Sequence, residues 1–174
     1  MLDRRGFVFG ALALGGCASL PSSPPPGGPP ITLEQAFLGR KTGVGLFRIT
    51  LTGSERRFTA KLNGTLSRRG TRLTVVEDFV YDDGEKNRLT WVFDRTGPGT
   101  WTGRREDTVG FASVVEKNGE IRLTYTADFA SPSGVNRLGF ADVIYAREDG
   151  VVINDAVVSK AGFPVGTVRF ELRG

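Results

Sequence analysis

The chain has 174 residues, one cysteine, no histidine and a formal net charge of +4. Without histidine there is no Ser-His-Asp or Cys-His nucleophile system and no ordinary zinc or haem site, and a lone cysteine cannot close a disulfide within the chain. The basic surplus is small and scattered. Arg56-Arg57, Arg68-Arg69 and Arg104-Arg105 each stand beside a turn or carboxylates, so they read as solvated charge and not as a nucleic-acid face.

The N-terminus reads as an export and lipidation signal. Asp3-Arg4-Arg5-Gly6-Phe7-Val8-Phe9 gives a charged start with the Arg-Arg-x-Phe arrangement of a twin-arginine signal. Phe7 to Leu14 is apolar but too short to span a bilayer. Leu14-Gly15-Gly16-Cys17 then forms a lipobox, in which the Cys17 thiolate takes a diacylglyceryl chain before cleavage ahead of it. Residues 1–16 are therefore expected to be a signal peptide, with Arg4 and Arg5 as export determinants and Cys17 as the lipidation site. Ala18, in place of aspartate, fits delivery to the outer membrane of a Gram-negative envelope, facing the periplasm.

Residues 18–30 are Pro-, Gly- and Ser-rich and lack any hydrophobic period. They are expected to form a disordered but semi-rigid tether, reaching roughly 40 Å at about 3.1 Å per residue in the polyproline form. Ile31 to Leu38 offers one or two helical turns, with Thr32 and Gln35 spaced for a capping box. Residues 17–36 are thus read as acylated tether and short lead-in, and residues 37–174 as the folded domain.

From Gly39 onward the pattern is that of strands. Phe58, Ala60, Leu62, Gly64 and Leu66 alternate with polar residues, as do Leu123, Tyr125, Ala127 and Phe129, and Val168, Phe170 and Leu172. Further strands are expected near 43–52, 71–81, 87–95, 99–105, 109–116, 136–146 and 151–159. Asp83-Gly84, Asn118-Gly119, Ser133-Gly134 and Asp149-Gly150 supply the positive φ angles of tight hairpins. No helical pattern separates the strands, so parallel crossovers are excluded. About ten short antiparallel strands must hide their edges, and an up-and-down barrel does so with this connectivity. A two-sheet sandwich, the alternative, needs longer Greek-key connections than the sequence offers.

Two carboxylates stand out. Glu77 shares its strand face with Leu73, Val75, Phe79 and Tyr81, and Asp142 lies among Leu138, Phe140 and Ile144. A carboxylate on an inward face must be paired, hydrogen-bonded or neutral. Arg88, Arg137, Asn154 and Lys160 are the candidate partners. Buried polar groups that fix the fold or face a polar headgroup are the first reading of the pair, acid–base catalysis the second. Trp91 lies on a face with Leu89 and Phe93, as core or ligand platform. Asp82-Asp83-Gly84 reads as turn chemistry, since its spacing misses the calcium-loop pattern.

Several of these segments together resemble a bacterial lipoprotein family, domain of unknown function 3833. They are Glu-Asp-Phe-x-Tyr-Asp-Asp-Gly at 77–84, Arg88 followed by Trp91, Asp107 before Val109-Gly110, Asp142 before Tyr145, Asn154, and Ser159-Lys160 with Gly162-Phe163. The resemblance spans residues 37–172 and fits the lipobox. It departs at Val143, Val158 and Ala161, where a tryptophan, a methionine and an aromatic residue are expected. It implies a lipocalin- or calycin-like barrel and, through the association of such genes with membrane fatty-acid modification, a lipid theme. It carries no activity over.

The expected protein is a periplasm-facing envelope lipoprotein, held to the membrane by its lipid anchor, with no cofactor, metal or nucleic-acid partner. The leading function is non-catalytic binding of a fatty acid, modified lipid or other amphipathic small molecule, with Glu77, Tyr81, Trp91, Asp142 and Tyr145 as candidate ligand-binding residues. The alternatives are an interaction protein with a filled barrel and a lipid-modifying or hydrolytic enzyme using the buried carboxylates.

Overall fold

Ten strands close into one antiparallel barrel in the computed structural model, which describes residues 28–131 and 134–174. Cys17, Arg4 and Arg5, with the lipobox and signal they belong to, lie outside the described residues, as does Ser133. A short helix α1 (Leu33–Phe37) precedes β1 (Gly39–Ile49), β2 (Glu55–Ser67), β3 (Arg72–Tyr81), β4 (Lys86–Gly97), β5 (Thr100–Arg104), β6 (Ala112–Lys117), β7 (Glu120–Ser131), β8 (Gly134–Ala146), β9 (Val152–Lys160) and β10 (Phe163–Arg173). Each strand pairs with its neighbours in sequence, and β1 pairs with β10 from Thr42↔Arg173 to Ile49↔Gly166, so no edge is left open.

Alternation dictates the walls. In β2, Ala60, Leu62 and Gly64 are buried while Thr59, Lys61 and Asn63 are exposed. On the outer face, Arg72–Asp94, Asp78–Arg88 and Asp128–Arg137 are cross-strand partners joined by ion pairs. Exposed pairs of this kind stabilise little. A one-residue slip would separate all of them and turn the apolar rows outward, so they help to specify register.

The turns follow local chemistry. Asp83-Gly84 joins β3 to β4 as expected, with Val80 opposite Lys86 and Arg72 opposite Asp94. Gly84 has φ of +84°, Gly84 N donates to Tyr81 O at 3.0 Å, and Asp83 Oδ1 accepts from Glu85 N at 2.9 Å. Two strands depart from expectation at their ends. β1 starts earlier because Gly39, at φ +80°, turns the chain directly from the helix into the sheet. β6 starts later because residues 105–111 form a loop.

α1 packs into the barrel core. Its capping box is formed, with Thr32 Oγ1 accepting from Gln35 N and Gln35 Oε1 from Thr32 N. Leu33 and Ala36 are wholly buried, and the helix plugs one end of the barrel. Glu116 Oε1 accepts from both Leu33 N (2.9 Å) and the Trp101 indole (3.1 Å), while Arg95 pairs with Glu34 and lies 4.0 Å over the Trp101 ring. Gly64 makes room for the helix end: a Cβ there would come within 1.9 Å of Phe37 O.

Because successive strands are antiparallel, the turns alternate between the two ends. Residues 68–71, 98–99, 118–119 and 147–151 turn at the plugged end, and residues 50–54, 82–85, 105–111 and 161–162 at the other.

Gly84→Val is expected to cost one to three kcal/mol or about that, because a β-branched residue is strained at positive φ although the space is open there. Gly84→Asn, which tolerates this region, should retain most of the stability. Urea denaturation midpoints check both; equal midpoints for Val and wild type would place the strain elsewhere.

Candidate functional site: an aromatic chamber with a buried polar cluster

Above the plug the barrel is hollow. A cavity of about 290 Å³ runs from Phe37 toward the open end. Its volume is that of roughly ten waters. The walls are rings. Tyr125 stacks on Phe140 at 4.7 Å and meets Trp91 edge-on at 5.1 Å, and Trp91 stacks on Phe93 at 5.0 Å. Across the chamber Phe58 packs against Phe79 and Phe170 at 5.6 and 5.2 Å. Small residues opposite make room for these rings: a Cβ on Gly45 would lie 2.1 Å from Phe58, and one on Gly103 2.6 Å from Phe93. At the open end Arg56, paired with Asp83 and Glu85, covers the Tyr81 ring at 3.8 Å.

Arg56 and Asn87 line the chamber toward the mouth, and deeper in, besides the tyrosines, the apolar lining is interrupted by Glu77 from β3, Asp142 from β8, Asn154 from β9 and Arg105 just beyond β5. Glu77 and Asp142 are each 5 % exposed. Asn154 Nδ2 donates to Asp142 Oδ2 at 2.9 Å. The Arg105 guanidinium, its side chain 8 % exposed, makes a forked pair with Asp107 at 2.7 and 3.2 Å, and lies 5.0 and 5.1 Å from the Trp91 and Tyr125 rings.

Burial pushes the Glu77 carboxyl up to about 7; the Arg105 charge pulls it back and the Asp142, Asp107 and Glu106 charges add to the rise. Burial likewise lifts Asp142 to about 7, against the Asn154 hydrogen bond and Arg105. Burial alone would lower Arg105, but Tyr125, Asp107 and Glu77 hold it above the ordinary guanidinium range. Burial also raises Tyr125 above its usual value.

Of the residues singled out from sequence, Glu77, Tyr81, Trp91 and Asp142 line this chamber. Tyr145 does not. It faces outward with Val143, Val151 and Ile153 in a second apolar cluster, and its hydroxyl donates to Asp155 at 3.1 Å. Of the expected partners for the inward carboxylates, only Asn154 is one. Arg88 pairs with Asp78, Arg137 with Asp128, and Lys160 donates to Asn136, all on the outside. Arg105, read as solvated charge, is instead the cation nearest the cluster's centre of action. The signal was present: Trp101, Gly103 and Arg105 continue one period-two row.

Comparison with known proteins places the chain. A family model described as "Protein of unknown function (DUF3833)" matches residues 11–173. The chain belongs to this family. No curated protein matches its sequence. Among solved structures it is similar to the S-type phycobiliprotein lyase CPES from Guillardia theta, at 7 % identity and TM-score 0.55, covering 80 % of this chain and 86 % of that one. It also matches a de novo designed fluorescence-activating β-barrel at 12 % identity and TM-score 0.42, covering 82 % and 97 %. At such identities the lyase likeness shows the barrel fold shared by the DUF3833 chain and nothing of its chemistry.

The raised carboxyls have a consequence for stability. A group whose folded pKa lies above its unfolded value favours folding fully below the unfolded value, near pH 4, and that contribution is lost as pH rises through about 7. Shifts of this size correspond to a loss on the order of 3 kcal/mol per group. Glu77→Gln should therefore match wild type near pH 4 and exceed it at pH 8. Urea midpoints across that range are the check, and parallel curves for the two proteins would mean Glu77 is not buried as a carboxyl.

Proposed function

We propose that the protein is a membrane-anchored envelope lipoprotein that binds one small hydrophobic or amphipathic molecule, of the fatty-acyl or modified-lipid class, inside its barrel. The observation that carries this reading is the chamber itself: an aromatic cavity of about 290 Å³, plugged at one end by α1 and reached from the other. Pockets that hold small molecules have this character, mostly apolar with a few convergent polar groups. The volume is at the small end of that class. Among the described lining residues the groups able to take part in bond-breaking chemistry are the carboxyls of Glu77 and Asp142 and the tyrosine hydroxyls. The apolar character of the walls favours binding, and the two carboxyl groups titrating near 7 would also suit proton transfer in the second reading, a lipid-modifying or hydrolytic enzyme.

The distribution of apolar tips supports action beside a lipid surface. Leu51 is 93 % exposed, Phe163 72 %, Val135 70 % and Phe111 68 %, and all four stand at the open end, Leu51 and Phe111 in connections and Val135 and Phe163 at the starts of β8 and β10. The turn tips at the plugged end are Arg68-Arg69-Gly70, Pro98-Gly99, Asn118-Gly119 and Glu148-Asp149-Gly150, with no large apolar side chain. Apolar tips ringing one mouth fit a membrane from which an amphipathic molecule enters.

Two measurements test the reading. Ala156 is buried in the chamber wall, so Ala156→Trp should fill the cavity. Displacement of the apolar dye 1-anilinonaphthalene should show at least a tenfold loss of affinity with the circular dichroism spectrum unchanged; undiminished binding would place the dye on an outer groove and remove the support. Separately, Cys17→Ser should shift the protein from the membrane to the soluble periplasmic fraction or leave an uncleaved precursor. If fractionation and mass match wild type, the lipoprotein reading falls.

A further inference from the structure

We infer that the chamber recognises its ligand by a hydrogen-bond-donating head, an ammonium or hydroxyl group on an apolar tail, and discriminates against a free carboxylate. This rests on the reading of the barrel as a binding site and narrows the ligand within it.

Two observations carry it. First, the buried polar cluster presents two acceptors that no protein donor fills. Asp142 Oδ1 and Asn154 Oδ1 are both buried without a hydrogen-bond partner. Asp142 Oδ2 already takes the Asn154 amide N–H, which also fixes the amide so that its oxygen is the free atom. Folded proteins rarely leave buried acceptors empty, and such atoms lining a cavity mark where a donor is to sit.

Second, the charges do not suit an anion. The cluster's cation, Arg105, is already engaged by both oxygens of Asp107 and sandwiched near Trp91 and Tyr125. With that pair neutral, the charge the cluster carries besides is that of the Glu77 and Asp142 carboxyls, each partly ionised near pH 7. A carboxylate head would add another anion in a water-poor space, where like charges repel strongly. An ammonium or hydroxyl would fill the empty acceptors, and the faces of Tyr125, Phe140 and Trp91 would accept a cation in addition.

The discriminating experiment uses three probes with one tail: 1-decylamine, 1-decanol and decanoate, each below its micellar concentration at pH 7.4. Displacement of 1-anilinonaphthalene from the full chain reads their affinities. The amine and the alcohol are expected to bind at least tenfold more tightly than decanoate. The protein's positive net charge works against the amine's place ahead of decanoate, so long-range charge attraction does not produce it, and the amine is the decisive probe. In the Glu77→Gln/Asp142→Asn double variant the amine's advantage over the alcohol should vanish and decanoate should gain; Glu77→Gln alone, should the double variant not fold, is expected to reduce that advantage. If the three probes displace the dye equally, or decanoate does so best, the chamber is a binding site but the head preference is wrong. If none displaces a dye that Ala156→Trp blocks, the preference and the proposed amphipathic ligand fall together.

Discussion

Ten strands closed into one sheet enclose more room than their inward side chains fill, and α1 decides where the surplus lies. The helix is too short to be stable alone. It exists because Leu33, Ala36 and Phe37 bury against the barrel's inner wall and because Glu116 reaches its first turn. Packed around it are Trp101, Phe93, Leu73, Ile121, Ile144 and Leu172, which make a solid core in that half of the barrel. Stability is thereby concentrated at one end. The other half is free to stay hollow.

A hollow half would be lost if its walls could collapse. Here the walls are rigid rings braced against one another, edge-on and stacked, so the space persists without side chains falling into it. The polar cluster carries a cost. Carboxyls on an inward face give up hydration, and the shift of both toward about 7 measures how poorly the protein alone replaces it. Apolar residues of similar size would pack that wall with less penalty. The acceptors left open at Asp142 and Asn154 are what the proposed ligand head would complete.

Much of the fold was legible because closure and alternation are local rules. The period-two rows at 58–66 and 123–129, the Asp83-Gly84 and Asn118-Gly119 turns and the Thr32–Gln35 cap each name their own structure. The inward carboxylates could be found the same way, since parity along a strand assigns a face. Parity also explains the miss at Tyr145: it is an odd number of positions from Asp142, so the two cannot share a face of β8. Arg105 escaped for a different reason. It stands beyond the end of a five-residue strand, beside another arginine and two carboxylates, and one-dimensional charge patterning cannot tell a buried forked ion pair from a solvated one. Nor does alternation reveal whether inward rows meet or leave a gap; that depends on strand number and on the plug.

The division of labour between the two ends also bears on how a ligand would enter. The plugged end carries the helix and polar turns, so access is from the mouth where Arg56 covers Tyr81. Arg56 is held by Asp83 and Glu85 of the β3–β4 turn, and this bracket is among the more exposed ion pairs of the molecule. Exposed pairs of that kind exchange readily with water. The aromatic walls below are locked by packing. Opening therefore asks for rearrangement of a surface ion pair and not of the core, which lets the mouth move while the chamber keeps its shape.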